Sequence, residues 1–343
     1  MATLSDVKFE FFKIGKWVVV IGGILLVIFV ILQILMFFLN SSKRNKPTNA
    51  FGKITKISFP NGIQNSFSYS VDTITGALPA IPSQLNVYRM EKAEPNLLTV
   101  GKTSEKLINL GFSDKPVQVS DVLYRWTSQK PIPRSITINV VNPQFTLTSD
   151  FTNDKNVLSA SSLPSQENAI SQAQHFMESL EFLPDDIDDS ATKIKLLKIQ
   201  NGTISEASSI SNAQLISVYF FQKKNDIPFV YPAGDLSSIN LTIGSGDRTS
   251  FIVDGRFFYQ KVTDQSATYP LITISEAFEK LRSGGAYIAS YNGKSKEITI
   301  KNAYLAYYIE GQVQNFLEPV VVFEGNNNFF AYVPAVRDEW VDN

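Results

Sequence analysis

The chain has 343 residues, a net charge of −1, a single histidine and no cysteine. Near-neutrality excludes a global field that would gather polyanions, so no nucleic-acid partner is expected. The missing cysteines exclude disulfides, thiol nucleophiles and thiolate metal sites, and a lone His175 excludes multi-histidine centres.

Residues 1–16 form a short head with Lys8, Lys13 and Lys16. Residues 17–39 follow as WVVVIGGILLVIFVILQILMFFL, without a charge. As a helix rising about 1.5 Å per residue this run reaches roughly 34 Å, and a hydrocarbon core is about 30 Å thick. It is too long for the core of a secretory signal, and it ends in Met36-Phe37-Phe38-Leu39 rather than at a small-residue cleavage site. One transmembrane helix is therefore expected, placing the protein in the lipid of a cell membrane as a single-pass anchor. Gln33, the one side chain of the run with hydrogen-bonding demands, is the candidate intramembrane contact. Basic residues flank the run on both sides, with Lys43, Arg44 and Lys46 beyond it, so they do not set orientation. The large C-terminal part is expected to be extracytoplasmic, because long domains translocate largely regardless of charge.

A polar linker occupies residues 40–50. The remainder reads as α+β, with antiparallel-sheet modules over 51–151, 152–268 and 269–343, each carrying a short helix. In the first, Phe67, Tyr69 and Val71 alternate with Ser68, Ser70 and Asp72, a strand period. A helix is expected over 103–110, ended by Gly111, with strands over 122–127 and 135–147. In the second, Pro164-Ser165 opens a helix whose stripe is Ala169, Ile170, Ala173, Phe176, Met177 and Leu180. Five strands are expected between 192 and 262. In the third, a helix over 275–282 stops at Gly284-Gly285, and strands follow over 296–309, 318–324 and 328–334.

Motifs that would carry chemistry are incomplete. Gly101-Lys102-Thr103 ends like a phosphate loop, but the required earlier glycine is Asn96. Gly244-Ser245-Gly246 lacks a third glycine and a following helix, and reads as a hairpin connection. Ser190 and Lys193 have serine–lysine spacing without companion motifs. Asp185, Asp186, Asp188 and Asp189 lack the glycine turn and distal glutamate of a calcium loop, and read as a solvated loop. His175 reads as a helix-surface residue. No catalytic residue, metal ligand or cofactor is assigned. The late strands concentrate aromatics, and Tyr304, Tyr307, Tyr308, Phe329, Phe330 and Tyr332 form the candidate partner-binding surface, against the competing reading that they are core.

Residues 269–334 carry a family pattern. It runs from Tyr269 to Leu281 (YPLITISEAFEKL), then Gly284 to Ile288 (GGAYI) and Ile300 to Tyr308 (IKNAYLAYY). Leu317 to Gly325 (LEPVVVFEG) and Phe329 to Val336 (FFAYVPAV) close it. This resembles the C-terminal module of YycI/YycH-type membrane-anchored regulators, which is PepSY-like. A tryptophan expected after the proline of the late strand is Val320 or Val321 here. The resemblance implies an extracytoplasmic, non-catalytic protein that binds an envelope partner, classically a sensor kinase, and alters its signalling. A cell-wall hydrolase and a structural part of an envelope or secretion complex are the alternatives.

Overall fold

The computed structural model describes residues 47–342, apart from 64–65, 93–98, 160–162 and 247–248, together with Leu26 and Phe29. The expected span at 17–39 and its Gln33 therefore lie outside the described residues, save for Leu26 and Phe29, which are helical and exposed. Among the described residues no helix is long and apolar enough to cross a membrane. Residues 48–343 form one compact unit.

Its strands are β1 (Ser68–Val71), β2 (Gln84–Met90), β3 (Val117–Gln118), β4 (Leu123–Ser128), β5 (Arg134–Asn139) and β6 (Gln144–Ser149). Next come β7 (Lys193–Gln200), β8 (Thr203–Glu206), β9 (Leu215–Phe220), β10 (Lys223–Lys224), β11 (Ile227–Val230) and β12 (Ile239–Ser245). β13 (Ser250–Phe258), β14 (Val262–Pro270), β15 (Tyr287–Ser290), β16 (Glu297–Tyr308), β17 (Phe316–Gly325) and β18 (Phe329–Pro334) complete the set. The helices are α1 (Thr99–Asn109), α2 (Lys155–Leu158), α3 (Gln166–Ser179) and α4 (Ile274–Arg282).

This corrects the expected α+β class. The protein is mostly β, built on two nine-stranded sheets. The helical periodicities are real but short, and each helix covers part of a sheet face rather than forming a layer of its own. An antiparallel sheet has the order β3-β4-β5-β6-β13-β12-β9-β7-β8. A mixed sheet follows the path β10-β11-β16-β17-β18-β15, with β1 parallel to the start of β16 and β11 parallel to its end. β2 joins it through β17 and carries β14. The chain passes from the mixed sheet to the antiparallel one after β2, returns for β10 and β11, crosses again for β12 and β13, and finishes in the mixed sheet.

Alternation explains the antiparallel sheet. Ile136 and Ile138 on β5, Phe145 and Leu147 on β6, and Ile216, Val218 and Phe220 on β9 all point to one face. That face is covered by α1 through Leu107 and by α3 through Ala169, Ala173, Phe176 and Met177. Each such fully buried large side chain contributes about 1.5–3 kcal/mol. The helix ends are set locally. The Ser165 hydroxyl accepts from the Asn168 N–H at 3.2 Å to start α3. Thr273 and Glu276 form a reciprocal capping box on α4. Past the end of α1, the φ of +82° at Gly111 lets the Phe112 N–H turn back to the Leu107 carbonyl at 2.9 Å. Thr103 lies buried within α1, so Gly101-Lys102-Thr103 is helix rather than a phosphate loop.

Candidate functional site

The second face of the antiparallel sheet is polar, and pairing register aligns its side chains. Arg125, Thr137, Thr146, Arg256, Asn240 and Tyr219 are consecutive cross-strand partners from β4 through β5, β6, β13 and β12 to β9. Lys195, Ser217, Thr242 and Asp254 form an adjacent row, in which the Ser217 and Thr242 hydroxyls lie 2.7 Å apart. The reason is strand geometry: these positions alternate with the core residues and so fall on the opposite face, where Arg125, Thr146 and Arg256 are exposed while Ser217 and Thr242 are buried.

A cleft of about 670 Å³ opens on this face. Its floor includes Thr137, Thr146, Asn240, Asp254 and Arg256, with Asn139 and Gln144 beside them. One wall is the turn Pro232-Ala233 with Leu236, Ser238 and Gly311. Asp254 is the one carboxylate among the described lining residues. Burial pushes its carboxyl above the ordinary range, against the pull of Arg256. Burial likewise raises the Tyr219 phenol.

The wall is held from the mixed sheet. The Tyr332 hydroxyl donates toward the carbonyls of Tyr231 at 3.1 Å and Gly234 at 3.2 Å. The Tyr287 hydroxyl donates to the Pro232 carbonyl at 2.8 Å. Asn328 donates to Asp235 at 3.1 Å, and Lys195 pairs with Asp235 at 3.2 Å. Behind the wall, the Tyr231 hydroxyl donates to the Gln222 side chain, whose amide donates to both oxygens of Asp186 at 2.9 Å. Burial raises the Asp186 carboxyl to about 6, with the Gln222 bonds opposing it.

The aromatic residues singled out from the sequence are placed mostly inside. Tyr307, Tyr308, Phe329 and Tyr332 are buried. Tyr304 and Phe330 are half-buried, and the Tyr304 hydroxyl donates to Glu324 at 2.7 Å. Tyr307 donates to the Asn86 carbonyl at 2.7 Å, and Tyr308 packs against Phe59 and Tyr332. These side chains join β2, the 231–235 turn and the N-terminal segment to the mixed sheet, and Tyr332 reaches the cleft only through its wall.

The acidic run is engaged structurally: besides Asp186, Asp188 caps the Ser190 N–H and pairs with Lys223 at 3.2 Å. Among the described residues no group of three or more His, Asp or Glu is arranged to hold a metal ion. His175 is exposed on α3, 3.8 Å from Glu178. The cleft itself was not found from sequence. Its signal is the alternating Thr137, Asn139, Gln144 and Thr146, but nothing local says that Arg256 and Asn240 stand beside them.

No protein-family model and no curated protein matches the chain. Among solved structures it is similar to an uncharacterized protein from Eubacterium rectale ATCC 33656, at 13% identity and a TM-score of 0.43 over 77% of this chain and 86% of that one. It is also similar to YycH from Bacillus subtilis, at 11% identity and a TM-score of 0.34 over 76% of this chain and 54% of that one. Similarities at this level assign no activity.

Proposed function

We propose that this chain is a non-catalytic binding protein of the cell envelope, held at a membrane by the apolar run 17–39, with its folded part outside the cytoplasm. It regulates an envelope protein, such as a sensor kinase, by engaging it through the polar cleft. The observation that supports this most is the cleft: an open, strand-lined floor of amides, hydroxyls and opposite charges, with a wall fixed by the hydroxyls of buried Tyr332 and half-buried Tyr287. Such a floor offers hydrogen bonds in fixed register, as a recognition surface needs. Glycan cleavage by paired carboxylates requires two acids flanking the scissile bond, and the described lining residues supply Asp254 alone.

The chain has no cysteine, so Thr146→Cys places a single thiol on the cleft floor. An impermeant maleimide is expected to label it in intact cells, and more slowly than in the purified full chain, because the partner covers the cleft. Labelling only after lysis overturns the extracytoplasmic placement. Equal rates in cells and in the purified chain overturn the binding role of the cleft.

A further inference from the structure

Two cations stand on the open sheet face, one of them, Arg256, within electrostatic reach of Asp254. Arg125 and Arg256 are exposed, and among the described residues neither takes part in an ion pair. They stand in the same cross-strand row, separated by Thr137 and Thr146. Three strand-to-strand steps of about 4.8 Å put their backbones roughly 14 Å apart. The Arg125 guanidinium is drawn onto the face by its 3.3 Å bond to the Thr137 hydroxyl. Beyond Arg256 the row continues through Asn240 to Tyr219, where Pro232 and Leu236 wall it off. The row therefore runs from an open end, where exposed Val117 of β3 pairs with Arg125, to a closed end below the 231–236 turn.

We propose that this row receives an extended acidic peptide segment of the protein partner, with one carboxylate on Arg125 and a second, four residues away, on Arg256. The proposal rests on the binding role assigned to the cleft and names the chemistry of its ligand. The spacing carries it. An extended chain advances about 3.4 Å per residue, so four residues cover about 14 Å. Side chains at even separations share a face, so both carboxylates point at the sheet. A separation of three residues turns one carboxylate away. Arginine suits the role because its planar fork binds a carboxylate bidentately. Thr137 and Thr146 supply hydroxyls to the peptide between the two anchors, and Asn240 supplies both a donor and an acceptor. Asp254 lies two residues from Arg256 on the same face, and it disfavours a third carboxylate between Arg256 and the wall.

The test uses the full chain in detergent and two fluorescent nonapeptides of serine and threonine. In one, two glutamates are four residues apart; in its isomer they are three apart. The first is expected to bind about tenfold more tightly, corresponding to one charge-assisted hydrogen-bonded contact. Arg256→Ala and Arg125→Ala each erase that preference, while Arg282→Ala, on α4, leaves it intact. The preference weakens as salt rises. Equal binding of the two isomers overturns the proposal, as does a preference that survives Arg256→Ala. Binding of a chitin hexasaccharide in place of either peptide overturns it too and assigns the cleft a glycan. If neither peptide binds while Thr146→Cys is still protected in cells, the acidic-peptide ligand is overturned and the cleft remains the binding site.

Discussion

Tyr332 and Tyr308 make a matched pair for testing how the cleft wall is held. Both are fully buried, 5.8 Å apart by ring centroids, in the same apolar cluster. They differ in what their hydroxyls do. The Tyr332 hydroxyl donates toward the Tyr231 and Gly234 carbonyls, whereas the Tyr308 hydroxyl has no hydrogen-bond partner among the described residues. Tyr332→Phe removes a donor from two wall carbonyls and retains the ring. The Tyr231 carbonyl keeps a 3.3 Å bond from the Gly234 N–H, so the loss falls mainly on Gly234. A buried group stripped of its partner costs about 1–3 kcal/mol. Tyr308→Phe removes a buried polar atom that gains nothing from its surroundings, and is expected to change stability by less than about 0.5 kcal/mol or to stabilise. Urea unfolding of the full chain in detergent, followed by tryptophan fluorescence, reads both at constant m. In Tyr332→Phe the midpoint falls and the Thr146→Cys label reacts faster, because the wall loosens. Equal destabilisation by the two variants refutes the assigned roles.

Other predictions concern the same supports. Asp186 is held near 6 against an ordinary 3.8, so the native state retains a proton that the unfolded state has lost; this acid therefore favours folding least above pH 6 and penalises it progressively as pH rises from about 4 to 6. At roughly 1.4 kcal/mol per pH unit that penalty reaches about 3 kcal/mol; Asp186→Asn removes this pH dependence but turns one of the two acceptors facing the Gln222 amide into a donor, so the variant starts below the parent near pH 4 and gains on it as pH rises to 7 in urea titrations. No such gain would show that Asp186 ionises freely in the fold. Gly234 has a φ of +68°, and a Cβ there would meet the Ser290 side chain, so Gly234→Ala is expected to cost about 2 kcal/mol or more and to lower the thermal midpoint. Gly284→Ala also has positive φ, but a Cβ meets nothing within 4 Å, and it is expected to cost about 1 kcal/mol without changing cleft labelling.

Helix punctuation was readable because it is local. Ser165 and Gly111 act within a few residues, and α3 starts and α1 ends where those signals stand, whereas the Thr273–Glu276 box of α4, equally local, went unread. Strand pairing is not local. Phe229 lies beside Tyr307 and Ser68 beside Glu297, and no short window records that β11 and β1 flank the two ends of β16. The α+β reading failed on this point: three helical patterns suggested layers, while the distant pairings assemble two large sheets. The aromatic strands left a related point open between a binding face and core. Alternation gives a strand two faces, but not whether the second face is covered. Ile57 and Phe59 of the N-terminal segment pack on it, beside Val230 of the same sheet, which buries Tyr308 and Tyr332. Conversely, Arg256 and Asn240 look ordinary in sequence and gain meaning only from the register that sets them beside Thr146 and Tyr219.

If the polar face of the antiparallel sheet, rather than the tyrosine-rich strands, is the working surface, a partner must lie against it in the membrane. The direct measurement is crosslinking in native membranes with a thiol-reactive photoprobe on single cysteines. One replaces Thr146, on the cleft floor, and the other replaces Asn302, which is exposed on β16 beside Tyr304. A discrete adduct with a membrane protein is expected from Thr146→Cys, lost in Arg256→Ala, and none from Asn302→Cys. An adduct from Asn302→Cys with none from Thr146→Cys would contradict the assignment.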